Sequence, residues 1–212
     1  MKMTNGGNKI IYRLWAPLYD AVVGGFFLPG RKRSLEVLDL QPGERVLLIG
    51  IGTGADLPLL PEGVEAIGVD LSPDMLARAR AKLPLPGRTV KLLEGDAQSA
   101  LFEEKSFDAV ILNLILSVIP DGRICLKMAM QALKDGGRAV IFDKFAPEGK
   151  SPSIVRKILN WFSTLFGTDI TRRFGEIFAG CSGEVIREEA SILKGMYRII
   201  LLRKIPPRVS VL

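Results

Sequence analysis

The stretch that decides the fold is Arg45-Val46-Leu47-Leu48-Ile49-Gly50-Ile51-Gly52-Thr53-Gly54. Its first half is a short apolar run, typical of a buried strand, and its second half is a glycine turn. Glycines let a ligand approach the backbone closely, and a helix predicted from about residue 55 would point its N-terminal amides at an anionic part of that ligand. The spacing is neither GxGxxG nor GxxxxGK[ST], so the turn matches neither the dinucleotide pattern nor the phosphate-loop pattern.

Strand and helix patterns alternate through the middle of the chain. Four more apolar runs predict strands at residues 65–70, 89–94, 107–113 and 137–143. Between them we predict a helix over 75–83, preceded by a Ser72 cap and Pro73, and a helix over 121–134. Because the strands alternate with helices and are almost continuously apolar, we expect a parallel sheet that is covered on both faces.

The two ends of the chain have other patterns. Residues 8–40 predict one or two helices broken around Gly24-Gly25 and Pro29-Gly30, and residues 152–166 predict an amphipathic helix. Residues 184–189 and 195–203 predict two closing strands, antiparallel to each other. We therefore expect one domain over 1–212, composed of a helical cap (1–40), a ligand-binding core (41–145), a cap helix with closing strands (146–204) and a tail (205–212).

The composition excludes several kinds of chemistry. The 212 residues include no histidine, which excludes the serine triad, the HExxH zinc site and a histidine general base. Cys125 and Cys181 are too far apart for a CxxC pair, and we predict no metal site. With two scattered thiols and no apolar leader pattern at the start, we expect a cytoplasmic protein. Any reaction must use a bound cofactor or carboxylate, tyrosine and amide groups.

The basic excess lies at both ends of the chain. Residues 1–40 contain six basic and three acidic side chains, residues 146–212 contain eleven and six, and the middle is slightly acidic. One interpretation is solvated surface, and the other is a basic, partly apolar cap that faces an anionic partner, either nucleic acid or a membrane surface.

Polar residues follow three of the predicted strands. Asp70 ends the second strand, where an acid can accept both hydroxyls of a ribose, although it could also be a helix-start acid before Ser72. Asp96, in Gly95-Asp96-Ala97 after the third strand, could accept an adenine amine or form a plain turn. Asn113 ends the fourth strand and faces either the ligand crevice or the loop backbone.

These elements, in this order, resemble the class I S-adenosylmethionine-dependent methyltransferases over nearly all of residues 8–204. The resemblance implies an α/β fold: a Rossmann-like, seven-stranded, mostly parallel sheet with an antiparallel C-terminal strand, helices on both faces and an N-terminal helical cap. It implies S-adenosyl-L-methionine as cofactor, with the glycine turn at the methionine part, Asp70 at the ribose and Asp96 at the adenine. The cofactor contacts predicted in this way are Tyr12, Gly50, Gly52, Thr53, Gly54, Asp70, Leu71, Met75, Asp96, Ala97, Asn113 and Ser117.

One position departs from the family pattern. The glycine turn of the family often follows an acid, two residues before the first glycine, that helps to hold the cofactor's ammonium. Leu48 stands at that position here. Either another acid serves, for which Asp56 is the candidate, or the chain binds the cofactor weakly and is a non-catalytic binder.

Three segments resemble one branch of the family, the bacterial phosphatidylethanolamine N-methyltransferases. They are residues 15–20 (Trp-Ala-Pro-Leu-Tyr-Asp), 56–59 (Asp-Leu-Pro-Leu) and 117–121 (Ser-Val-Ile-Pro-Asp). The related ubiquinone and menaquinone C-methyltransferases share the Tyr-Asp pair but match the other two segments less well. The resemblance implies a small-molecule or lipid acceptor, above all the amine of phosphatidylethanolamine. Peripheral contact of residues 1–40 and 152–166 with an anionic inner-membrane face would suit such an acceptor, but both segments could instead pack on the sheet.

Tyr19 and Asp20 are the predicted catalytic residues. An ammonium substrate must lose a proton before its nitrogen can attack, and these side chains could orient the amine or receive that proton. Tyr12, Trp15 and Tyr19 could also form an aromatic wall for a methylated cation, or Tyr12 and Tyr19 could simply pack.

Other acceptors remain open at this point. The alternatives are C-methylation of a quinone, S-methylation of a small thiol, and cofactor binding without catalysis. A nucleic-acid substrate is disfavoured because Asn113 is followed by Leu114-Ile115-Leu116 rather than by Pro-Pro-aromatic, and because the basic residues alternate with aliphatic ones. The oligomeric state is not predicted.

Overall fold

The computed structural model describes residues 24–99, 102–148 and 171–206. Several predictions concern residues outside these ranges: Tyr12, Tyr19 and Asp20, the helix over 152–166 and the end of the tail. They stay predictions.

The described residues form seven strands and five helices. The strands are β1 (Arg45–Ile49), β2 (Glu65–Asp70), β3 (Thr89–Glu94), β4 (Phe107–Asn113), β5 (Leu133–Lys144), β6 (Gly183–Ala190) and β7 (Tyr197–Lys204). The helices are α1 (Gly24–Leu38), α2 (Pro73–Arg80), α3 (Gly122–Ala132), α4 (Phe174–Phe178) and α5 (Ile192–Gly195), with one 3-10 turn at Leu57–Leu59. The first four strands begin and end at the predicted residues.

All seven strands belong to one sheet, in the order β3-β2-β1-β4-β5-β7-β6. Strands β1 to β5 pair in parallel, and β7 runs antiparallel to both β5 and β6. The predicted class, a mostly parallel seven-stranded sheet with an antiparallel C-terminal strand, is therefore confirmed. The strand order reverses between β1 and β4, which places a ligand crevice outside the carboxyl ends of these two strands.

Helices cover both faces of the sheet. Successive side chains of a strand point to opposite faces, so each strand contributes to two apolar clusters. Val46 and Leu48 of β1 belong to the apolar cluster that includes α1 and α2, whereas Leu47 and Ile49 belong to the cluster that includes α3 and α4. All four side chains are buried. Burial on both faces explains why the strand sequence is continuously apolar rather than alternating.

The helix predicted to begin near residue 55 does not form. Residues 52–56 make turns, and only the 3-10 turn at Leu57–Leu59 follows. Pro61 explains why no longer helix forms, since a proline removes a backbone donor and pushes the residue before it out of the helical region. Leu60, which precedes Pro61, is accordingly extended, with ψ of 140°. The glycine turn is thus not followed by the helix N-terminus that we predicted.

The predicted break at Pro29-Gly30 is also wrong, because α1 continues through both residues. Pro29 has no N–H that could donate to the carbonyl of Gly25, one helical turn earlier. Both residues are exposed, so water can donate to that carbonyl instead. Gly30 is buried, and a Cβ added there would lie 2.2 Å from Cζ of Phe142 in β5. This glycine serves close packing of the helix on the sheet rather than a break. Of the predicted cap over residues 1–40, α1 is the described helix, and it packs on a face of the sheet.

Two helix starts follow the expected chemistry. Ser72 caps α2, with its Oγ accepting from the backbone N–H of Met75 at 3.4 Å, and Pro73 is the first helical residue. Asp121 caps α3 by accepting from the N–H groups of Arg123 and Ile124. Helix α3 ends at Ala132, two residues before the predicted end, and β5 begins at once.

Candidate cofactor site

The carboxyl ends of the parallel strands bring the predicted cofactor residues to one edge of the sheet. The glycine turn follows β1, Asp70 ends β2 and Asp96 follows β3. Asn113 ends β4, and Ser117 lies in the loop after that strand. These residues lie far apart in the sequence, and the parallel topology alone brings them together.

Asp70 is bonded directly to the glycine turn. Its Oδ2 accepts from the backbone N–H of Gly52 at 2.8 Å, and its Oδ1 accepts from the N–H of Ser72 at 2.9 Å. Burial raises the pKa of Asp70 above its ordinary value, although these backbone N–H bonds act in the opposite direction. A carboxylate oxygen has room for more than one donor, so both oxygens can still receive a ligand hydroxyl.

Gly52 lies in the left-handed region, with φ of +56°, and no atom lies within 4 Å of where its Cβ would be. Its neighbours in the motif are crowded: a Cβ on Gly50 would lie 2.5 Å from Ile115, and one on Gly54 would lie 2.8 Å from Leu57. The middle glycine therefore borders open space beside Asp70. That is the cradle which a nucleoside-type cofactor needs, so the residues present fit the group implied by the sequence.

The loop after β3 is attached to the same region. The N–H of Gly95 donates to the Asp70 carbonyl at 3.0 Å, and the N–H of Gln98 donates to Oδ1 of Asp96 at 3.0 Å. Three apolar residues predicted to line the cofactor are buried or half-buried: Leu71, Met75 and Ala97. Thr53, in the glycine turn, is buried too.

A buried polar cluster lies behind the glycine turn at the end of β4. Nδ2 of Asn113 donates to Oδ1 of Asp56 at 3.1 Å and to Oγ of Ser34 at 3.1 Å. Oδ2 of Asp56 forms an ion pair with Nη1 of Arg31 at 2.6 Å, and both side chains are buried. Asp56, the candidate for the acid missing at position 48, thus already has a cation from α1 as its partner.

One buried carboxylate at this edge was not singled out from the sequence. Asp143, near the end of β5, is fully buried, and its oxygens accept from the N–H groups of Ser117 at 2.9 Å and Lys144 at 2.8 Å. Burial raises the pKa of Asp143, although these hydrogen bonds and the Lys144 charge favour the ionised form. The sequence contained a signal for this residue, because Asp143 ends a predicted strand in the same way as Asp70. The loop after β4, which contains Ser117, is therefore anchored to β5.

Comparisons with known proteins agree with this geometry. A family profile described as "Methyltransferase domain" matches residues 47–141. A phosphatidylethanolamine N-methyltransferase of Cereibacter sphaeroides is 30% identical over 195 residues, which are 91% of this chain and 95% of that protein. A demethylmenaquinone methyltransferase of Bacillus cereus is 29% identical and is aligned over 78% of this chain and 70% of its own length.

The fold is shared with solved structures. An S-adenosylmethionine-dependent methyltransferase of Mesorhizobium loti superposes with a TM-score of 0.62 at 20% identity, over 81% of this chain and 96% of that one. With this sheet topology and a relative that is 30% identical over 91% of the chain, the protein belongs to the class I S-adenosylmethionine-dependent methyltransferases. It is a methyltransferase whose cofactor is S-adenosyl-L-methionine. Among the described residues, no helix is both long and apolar enough to cross a membrane.

Proposed function

We propose that the chain transfers the cofactor's methyl group to a lipid-type acceptor, the amine of phosphatidylethanolamine. The observation that carries this proposal is the match to the Cereibacter phosphatidylethanolamine N-methyltransferase, which spans 91% of this chain and 95% of the relative. The demethylmenaquinone methyltransferases match at similar identity but over less of both chains. Such coverage leaves less than a tenth of either chain unaligned.

The cofactor residues have separate roles in this proposal. The open side of Gly52 admits the cofactor next to the backbone, Asp70 accepts from the ribose hydroxyls, and Asp96 accepts from the adenine amine. Leu71, Met75 and Ala97 surround the adenosine with apolar groups. Sequence positions alone support the contacts assigned to Tyr12, which lies outside the described residues.

The methyl donor already contains its leaving group, because its methyl is bound to a sulfonium. What this chain must add is alignment in a dry pocket and removal of a proton from the acceptor. A lysine-like amine has a pKa near about 10, so at neutral pH its nitrogen is protonated and has no free electron pair. In the absence of histidine, we assign the orientation of the amine and the acceptance of its proton to Tyr19 and Asp20.

Peripheral contact with an anionic membrane surface fits the described surface near the start of α1. Phe26 is 49% exposed and Leu28 is 37% exposed, and Lys32 follows on the same helix. Each basic residue near an anionic leaflet contributes about 1 kcal/mol of binding. The basic excess of residues 1–40 and 146–212 has the sign that such a surface attracts.

The test is transfer of labelled methyl to separate acceptor pools. Purified protein would be incubated with labelled cofactor and, in parallel, with anionic liposomes containing phosphatidylethanolamine, with a demethylated quinone, and with a small thiol. We expect label in the phospholipid. Label only in the quinone or the thiol would overturn the acceptor, and cofactor binding without transfer to any pool would identify a non-catalytic binder.

A quinone carbon is the second candidate acceptor, because a demethylmenaquinone methyltransferase is 29% identical to this chain, against 30% for the phosphatidylethanolamine N-methyltransferase. A carbon acceptor needs no cation-binding wall, so substitution of Trp15 by leucine would spare a quinone methyltransferase. The same substitution would weaken binding of a methylated amine.

A further inference from the structure

One buried acceptor at the cofactor edge has no donor. The Oδ1 of Asn113 is shielded from solvent, the residue is 4% exposed, and no hydrogen-bond partner reaches this oxygen among the described residues. Buried polar atoms are almost always paired, and leaving one unpaired is destabilising. An unpaired acceptor at a ligand crevice therefore needs an explanation.

The orientation of the amide is fixed by its neighbours. Both hydrogens of Nδ2 are used, one at Oδ1 of Asp56 and one at Oγ of Ser34. The hydroxyl of Ser34 donates to the Arg31 carbonyl at 2.8 Å, so toward Asn113 it can only accept. Turning the amide over would place Oδ1 against a carboxylate and an occupied hydroxyl. The free oxygen consequently has to face away from both groups.

The position of Asn113 places this oxygen beside the glycine turn. Strands β1 and β4 are paired at Leu48 and Ile111, so Asn113 comes level with Gly50, two residues further along. Leu48 and Ile111 belong to the same apolar cluster, and Asn113 continues that face of β4. The acceptor thus lies on the face to which the residue at position 48 points.

The order of the cofactor's parts along the carboxyl edge of the sheet indicates which group lies next to Oδ1 of Asn113. With adenine at β3 and ribose at β2, as proposed above, the methionine end extends toward β1 and β4. That end has a carboxylate, which repels an oxygen acceptor, and an ammonium, which donates to one. We infer that Oδ1 of Asn113 accepts a hydrogen bond from the cofactor's ammonium and takes the place of the acid absent at Leu48.

Arg31 and Asp56 act here as positioning residues. The guanidinium of Arg31 neutralises Asp56 at 2.6 Å, which lets a buried carboxylate hold the Asn113 amide in one orientation. Because Arg31 belongs to α1, the same contacts attach this helix to the glycine-turn region.

The test compares two ligands in a binding experiment that needs no methyl acceptor. The ligands are S-adenosylhomocysteine and the analogue in which hydrogen replaces its amine, both measured by calorimetry. We expect wild-type protein to bind the amine-bearing ligand more tightly. Asn113→Ala should weaken the affinity for that ligand by about tenfold or more and leave the affinity for the deaminated ligand nearly unchanged. Asp56→Asn should also reduce the preference, since it no longer fixes the amide orientation.

Ser106→Ala is the matched control, because Ser106 is a buried serine that precedes the opposite end of β4. It should leave the preference between the two ligands unchanged. The inference would be overturned if Asn113→Ala weakened the affinity for both ligands equally, or if wild-type protein bound both ligands with the same affinity.

If Asn113→Ala does not fold, a crystal structure of wild-type protein with S-adenosylhomocysteine decides the question. We expect the amine nitrogen within about 2.7–3.2 Å of Oδ1. A water or a protein donor in that place would overturn the assignment. Both readouts are independent of which acceptor the enzyme methylates.

Discussion

At the scale of single residues, the glycines of the turn after β1 differ in what surrounds them. Gly52 and Gly54 both have positive φ, at +56° and +75°. The first borders open space beside Asp70, and the second packs against Leu57 and Ala79. The same substitution should therefore affect ligand binding at one position and folding at the other.

We predict that Gly52→Ala weakens S-adenosylhomocysteine binding more than it lowers stability, because its methyl enters the cofactor space. The left-handed backbone should cost about 1–2 kcal/mol of unfolding free energy in either variant. Gly54→Ala should lose about 1–3 kcal/mol more through overpacking. Urea unfolding and calorimetric binding measure the two effects, and equal stability losses in both variants would contradict this account.

Asp143 gives a prediction about pH. Because burial raises its pKa, the folded state favours the protonated form, so its stability contribution is present at low pH. That contribution is lost as the pH rises above about 3.9, the ordinary value for aspartate, and through the raised pKa. Relative to wild type, Asp143→Asn should therefore gain unfolding free energy as the pH rises over this window.

Chemical unfolding at a series of pH values measures this difference between variant and wild type. The exposed Glu104→Gln is the control and should show no such trend. A difference between Asp143→Asn and wild type that is constant with pH, or that falls as the pH rises, would show that Asp143 is not penalised by burial.

At the scale of elements, short-range chemistry made most of the fold predictable. The first four strands have the predicted bounds, and Ser72 caps α2 as its sequence indicates. The errors occur where a local signal has more than one use. Pro61 stops the helix expected after the glycine turn, whereas Pro29 is accommodated in α1, where the Gly25 carbonyl is exposed to water.

Helix α1 supplies a matched pair of substitutions. Gly30→Ala would place a methyl 2.2 Å from Phe142, and we predict a loss of about 1–3 kcal/mol of unfolding free energy. Gly25→Ala, in the same helix with no atom within 4 Å, should instead be neutral or gain up to about 1 kcal/mol from helix propensity. Urea unfolding of both variants checks the prediction. A Gly30→Ala variant as stable as Gly25→Ala would show that α1 does not press on β5.

At the scale of the whole molecule, the sequence predicted which polar residues lie at the carboxyl edge of the sheet, but not their tertiary contacts. The position of Asp70 could be predicted because it depends only on the end of one strand. The cluster of Arg31, Asp56 and Asn113 could not, since its members are 25 and 57 positions apart and meet only after the sheet has formed. The pairing of Asp143 with Ser117, 26 positions away, was missed for the same reason.

The acceptor depends on the whole molecule as well, because its predicted determinants lie at the ends of the chain and the cofactor site in the middle. The measurement that tests the central claim most directly is the initial rate of methylation in anionic vesicles that contain phosphatidylethanolamine and a demethylated quinone together, with the products separated by mass spectrometry. We predict N-methylated phosphatidylethanolamine from wild-type protein and a background rate from Asp70→Asn, because we expect the loss of the carboxylate to weaken cofactor binding. Methylated quinone with no methylated phospholipid would contradict the account.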